Sequence, residues 1–124
     1  MVKFVNRTPH AVVVVGASSR YGELTFAPSG VVARAISAPQ EPLGLVAADE
    51  DEGIEGIPLV SPPAFSDVVG IDTEPEEHVI VSALAAPIAA TKRKHVYSPD
   101  SGPESAVRNE RGEIIGVRRL IRWS

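Results

Sequence analysis

Apolar and polar positions alternate with a short period along most of the chain, and that pattern predicts strands. Residues 2–6 (VKFVN) and 10–16 (HAVVVVG) are β-branched or apolar and are separated by Thr8-Pro9. A proline there lacks the amide hydrogen a central ladder needs, which predicts a bend or bulge. The segment 17–22 (ASSRYG) reads as a turn. In 22–27 (GELTFA), Leu24 and Phe26 fall on one side and Glu23 and Thr25 on the other. Pro28-Ser29-Gly30 is a tight-turn signature, and an extended VVARAIS (31–37) follows it.

After the breaker PQEP (39–42), residues 43–48 (LGLVAA) read as a strand and 49–56 (DEDEGIEG) as an acidic surface loop. Residues 57–65 and 66–71 are extended, with Pro62-Pro63 blocking helix. A second polar loop, 72–77, leads into HVIV (78–81), a buried-strand run. Ser82 can cap a short alanine-rich helix reaching Thr91, which Pro87 would distort by removing a hydrogen bond. Further on, Asn109-Glu110-Arg111-Gly112 fits a type I turn closed by a left-handed glycine. EIIGVRRLIRW (113–123) then reads as one long final strand. Many short strands and one weak helix predict a mainly β protein: a curled antiparallel sheet or small barrel-like fold with one short helix.

At 124 residues the chain is expected to be a single domain, 1–124. That length buries roughly two-thirds of the unfolded surface, enough for a core without staples. The absence of cysteine excludes disulfides, thiolate metal ligands and a cysteine nucleophile. The N-terminal apolar runs are too broken for a signal-peptide core and too short for a span, so a cytoplasmic protein with no membrane partner is expected.

Charge is unevenly spread. Residues 1–39 hold four basic and one acidic side chain, 40–91 eleven acidic and no basic, and 92–124 eight basic and four acidic. This is not the uniformly basic footprint of a duplex-binding protein, so no duplex nucleic acid is expected. A local cationic pocket for a small anion remains open.

Two arginines stand out against that background. In the final strand one face holds Ile115, Val117, Arg119, Ile121 and Trp123. In VVARAIS one face holds Val32, Arg34 and Ile36. A buried, unpaired guanidinium costs several kcal/mol, so each needs a partner. One reading supplies a carboxylate from the acidic middle, or exposure at a strand edge. The other supplies a ligand phosphate or carboxylate, which the bidentate guanidinium fork suits. Arg108, just before the hairpin turn, is the third candidate.

Thr8-Pro9-His10 places a hydroxyl and an imidazole at a strand kink, where they could read a ribose or base edge or could simply satisfy the bend. The run Lys92-Arg93-Lys94-His95 is either a solvated face or a phosphate contact. The proline-bracketed loop 97–103, which contains Asp100, suits a binding loop. Signals for catalysis are thin. His10, His78 and His95 are far apart, and no HExxH, P-loop, GxSxG or Rossmann pattern is present. No metal, no cofactor and no catalytic residue is expected.

The stretches NRTPHAVVV, APSGVVAR, IPLVS, EEHVIVSALAA, YSPDSGP and AVRNERGEIIGVRRLIRW, in that order, resemble a family of small phage and bacterial proteins. Those proteins open with Asn-x-Thr-Pro-His, carry Pro-Ser-Gly before Val-Ala-Arg, and end in a hairpin followed by Val-x-x-Leu. That group is similar to the Thoeris anti-defence sponges, phage proteins that sequester a cyclic ADP-ribose signal. The resemblance implies a non-catalytic binder of a small phosphorylated cyclic nucleotide, acting as a homo-oligomer in the host cytoplasm. It implies Arg34, Arg108 and Arg119 as phosphate ligands, and Thr8, His10 and Asp100 as ribose or base contacts. The alternatives are an enzyme acting on a nucleotide or ADP-ribose derivative, and a structural or protein-interaction module with internally paired arginines.

Overall fold

A computed structural model describes residues 2–16, 22–47 and 56–124; most of the expected turn at 17–22 and of the acidic loop at 49–56 lies outside these described residues. The fold is mainly β with one short helix. The strands are β1 (Phe4–Asn6), β2 (Val12–Val15), β3 (Glu23–Phe26), β4 (Arg34–Ser37), β5 (Pro42–Val46), β6 (Ile57–Val60), β7 (Phe65–Val69), β8 (His78–Ile80), β9 (Val96–Pro99), β10 (Ala106–Arg108), β11 (Ile114–Val117) and β12 (Leu120–Arg122). Helix α1 (Ala86–Lys92) joins β8 to β9.

The strands form two four-stranded sheets, ordered β1-β8-β9-β12 and β10-β11-β2-β3, and two antiparallel ribbons, β4-β7 and β5-β6. Among the described residues no sheet closes into a barrel, and parallel pairs stand beside the antiparallel ones. β1 pairs with β8, β8 with β9, and β11 with β2 in parallel. Parallel neighbours need a crossover, and α1 supplies it between β8 and β9.

The sheet β1-β8-β9-β12 is the middle layer. Side chains alternate across a strand, so Val79 and Val81 face one way and Ile80 the other. Val79, Val81 and Val96 pack on Ala85, Ala86 and Ala89 of the helix region and on Ala33, Val68 and Ile71 beside the β4-β7 ribbon. Ile80 packs the opposite way, on Val12, Val14 and Val117 of the second sheet, with Phe4, Phe26 and Leu120 at the margin. Coverage on both faces explains why HVIV is an unbroken apolar run.

Helix α1 begins later than its alanine pattern predicts. A turn over 83–85, whose amides at Ala85 and Ala86 donate to the Ser82 carbonyl, precedes it. Pro87 therefore falls in the first helical turn, where its missing amide hydrogen costs nothing. At the other end of the chain, Ser98 and Trp123 tie β9 to the segment after β12 through an indole N–H to hydroxyl bond of 2.8 Å.

The final strand is broken in two. β11 belongs to the second sheet and β12 to the middle one, with Arg118 and Arg119 in the crossing. The buried Ser105 hydroxyl accepts the backbone amides of both, at 3.0 and 3.2 Å, and so fixes the corner.

Candidate functional site

The expectation that Arg34 and Arg119 are held among apolar neighbours is corrected. In β4 the two faces are as the alternation predicts, but the inner one carries the alanines. Ala33 is buried and Ala35 half-buried, while Arg34 and Ile36 point outward. Ala33 belongs to, and Ala35 packs against, the core cluster that also holds Ala85, Ala86 and Ala89 of the helix region. Arg34 makes no ion pair with any described residue. Arg119 lies outside a strand, so the two-residue period that placed it on an apolar face does not apply. Its Nε donates to Asp100 Oδ2 at 2.6 Å, and an Nη lies 3.4 Å from Glu104, with the side chain 59% exposed. Asp100 is thereby committed, since its other oxygen accepts the Gly102 amide. The Arg119 guanidinium holds the Asp100 carboxyl below its ordinary range.

The remaining candidates are also separate. Arg108, at the end of β10, donates to the Gly112 carbonyl within its own hairpin. Thr8 is buried, and its hydroxyl shares one proton between Asn6 Oδ1 at 2.6 Å and the His10 carbonyl at 2.9 Å. His10 is exposed and contributes its carbonyl. The organiser of this bend is Asn6, whose amide group donates to the His10 and Phe26 carbonyls at 2.8 Å each. The six candidates thus reduce to one ion pair, one bend and two isolated surface arginines.

The cationic run after α1 resolves into four different jobs. Lys92 pairs with Asp67 at 2.7 Å. Arg93 donates to the carbonyls of Ile71, Glu74 and Glu77 at 2.8–3.3 Å and so clips the 71–77 loop. Lys94 is exposed. A cleft of about 610 Å3 lies between these residues and Asp67, Asp72 and Thr73. Its arginine is used up by carbonyls and Lys92 by Asp67, so it offers an anion little beyond Lys94.

His95, the fourth member, belongs to the feature with the most chemical capacity. β8 and β9 run parallel with Val79 opposite Val96, which sets His78 and His95 side by side on one face. Strand spacing near 4.8 Å then places one ring over the other. Their centroids are 4.2 Å apart and their planes 4° from parallel. Tyr97, two residues on, stacks on His78 at 5.3 Å and 11°. Phe4, opposite His78 in β1, meets that ring edge-on at 5.2 Å and continues the row to Phe26. Arg122 stands directly across from Tyr97 in β12, exposed and with no carboxylate partner among the described residues.

Two details mark this row as more than packing. His95 has φ 63°, the left-handed region that a side-chain-bearing residue enters at a cost of order 1 kcal/mol or more. Nδ1 of His78 is buried without a hydrogen-bond partner. Desolvation first, then the neighbouring His95, Arg122 and Arg93, lower the His78 pKa below its ordinary value. The ring is therefore neutral at pH 7, as a close stack of two imidazoles beside guanidinium groups requires.

A pH dependence follows. The unfolded chain takes up the His78 proton near the ordinary histidine value of about 6.5, before the folded chain does. The contribution is intact above that pH and is lost as pH falls from there toward the lowered folded value. Thermal melts from pH 8 to 5 are expected to show a steeper loss for the native chain than for His78→Phe, which keeps the stack and cannot titrate. Parallel slopes would contradict it. The carboxylates held low by partners, Asp67, Glu77 and Asp100, act only in a more acidic window.

The fold and this surface define a layered β protein with a stack of parallel rings and an adjacent guanidinium that has no carboxylate partner among the described residues. Among the described residues no group of three or more His, Asp or Glu could hold a metal, and no helix is long and apolar enough to cross a membrane. No protein-family model, curated protein or solved structure matches the chain.

Proposed function

We propose that the chain is a non-catalytic binding protein for a small phosphorylated nucleotide, which it sequesters rather than converts. The ligand class expected from the Thoeris-sponge resemblance is a cyclic ADP-ribose-type nucleotide in the host cytoplasm. The observation that carries the proposal is the face-to-face stack of the His95, His78 and Tyr97 rings, beside Arg122, which has no ion-pair partner among the described residues. A purine added to an uncovered end face of this stack gains about 1–3 kcal/mol from stacking. A phosphate reaching Arg122 meets a bidentate donor with no internal competitor. The arginines Arg34, Arg108 and Arg119 drop out of the site, and the two strand-start histidines take their place.

Calorimetric titration and melting shifts with ADP-ribose, cyclic ADP-ribose isomers and AMP test this. A ligand at a hundred times its dissociation constant is expected to stabilise the fold by about 2.7 kcal/mol. Arg122→Ala and His95→Gly are expected to abolish the shift. His95→Gly is the sharper variant, because glycine relieves the left-handed backbone while removing the ring. Its melting temperature without ligand should hold while binding disappears. Absence of heat with every nucleotide, or native affinity in both variants, overturns the proposal. Chromatography of ligand recovered after heating should return it unchanged.

A further inference from the structure

The ribbon formed by β5 and β6 has no polar side chain: its residues are Pro-Leu-Gly-Leu-Val and Ile-Pro-Leu-Val. Every one of them is exposed, Leu45 to 70% and Leu43 to 58%. The ribbon continues β4-β7 outward. Backbone bonds from Ala38 to Ala64 and from Ser61 to Glu41 carry the pairing across the Pro39 and Pro62-Pro63 kinks. The outer half extends about 17 Å, five residues at roughly 3.3 Å each. An isolated two-stranded ribbon is marginal in water. Apolar surface of this extent on both faces marks an interaction site.

A matching surface lies elsewhere on the same chain. An apolar groove of about 160 Å3 runs between β2, β11 and Pro99, lined by Ala11, Val13, Pro99, Ile115 and Gly116. Cavities of this size hold a benzene-sized group, hence one leucine side chain. Ile114 and Ile115 at its rim are exposed. Exposed arginines flank it in sequence: Arg108, Arg111 and Arg118, none with a carboxylate partner among the described residues. The arm's charge is opposite. No lysine or arginine occurs between Arg34 and Lys92, and Glu41 and five carboxylates in the sequence joining β5 to β6 flank its apolar strands.

We propose that β5-β6 is an association arm that seats Leu45 in the Ala11–Pro99–Ile115 groove of a second copy, the acidic charge of this part of the sequence matching that copy's exposed Arg108, Arg111 and Arg118. Two copies exchanging arms satisfy both grooves at once and close the assembly. Pro42 and Pro58 remove amide donors from the ribbon's strands, so it docks by side chains and does not recruit further strands along its edge. The association needs no nucleotide.

Sedimentation equilibrium of the full chain at tens of micromolar tests this. The expected mass is twice the 13.1 kDa chain, with weaker association at high salt. Leu45→Asp is expected to halve the mass with an unchanged circular dichroism spectrum, and Leu43→Asp serves if that variant precipitates. Ile115→Glu, on the groove side, should do the same. Mixing Leu45→Asp chains with Ile115→Glu chains should restore some dimer, because each supplies the half the other lacks. A monomeric native chain overturns the proposal. So does a Leu45→Asp dimer, or an Ile115→Glu dimer, which would place the contact on another surface. Binding of the monomeric native chain to neutral lipid vesicles would assign the arm to a membrane and equally overturn it.

Discussion

Asn6→Ala is expected to cost about 3–5 kcal/mol, because the buried carboxamide ties the Thr8–His10 bend to Phe26 in β3 through four hydrogen bonds. It donates to the His10 and Phe26 carbonyls and accepts from the amide and hydroxyl of Thr8. Alanine strips this partner from the Thr8 amide and the Phe26 carbonyl, at about 1–3 kcal/mol each, while the Thr8 hydroxyl keeps the His10 carbonyl. For a chain of this size the melting temperature should fall by roughly 10–20 °C. Thr8→Ala removes only a shared hydroxyl proton and should cost about 1 kcal/mol. His10→Ala should be nearly silent, since the bend uses that residue's carbonyl. A melt of the Asn6→Ala protein within a few degrees of native would refute the ranking.

Gly70→Ala is expected to cost as much or to prevent folding. Gly70 has φ 81°, and a Cβ there would lie 2.5 Å from the Val32 carbonyl oxygen. Both partners are backbone, so relief requires moving β7 away from the strand entering β4. Gly30 has φ 94° with open space where a Cβ would point. Gly30→Ala thus carries left-handed strain alone, about 1–2 kcal/mol. Urea titration of the two variants separates strain from collision. Equal midpoints would mean that the crowding at Gly70 is absorbed elsewhere.

Local features were legible in the sequence because local rules decide them. HVIV is a strand buried on both faces, Asn109–Gly112 turns a hairpin with Gly112 at φ 80°, and 82–91 contains a short helix. Parallel pairing was not legible: between β8 and β9 it depends on α1 folding back over the middle sheet, and for β1-β8 and β11-β2 it joins strands far apart in sequence. The last strand misled because nothing local marks the passage at Arg118-Arg119 from one sheet to another; the cause is Ser105, thirteen residues earlier. Arg34 misled because alternation defines two faces without saying which is inner, and here the inner one is small, not bulky.

Of the candidate site itself, none of the six residues named from the sequence is a member, and the usable signal was the separate cationic run that ends in His95. The stack had a second signal that was open to view. His78-Val79 and His95-Val96 repeat one dipeptide at the start of two strands. Such a repeat becomes a contact only when the strands lie parallel and in register, which no single-sequence rule supplies.

The middle sheet joins Phe4–Asn6 to Leu120–Arg122, strands 114 residues apart in sequence, with β8 and β9 between them. During synthesis the early strand has only its backbone contacts with residues 28–33 until translation reaches β8. Closure of this sheet on the ribosome therefore waits until β12 has been made, and high contact order makes that step slow. A nascent chain stalled before residue 120 would leave the β9 edge bare for chaperones or proteases to find.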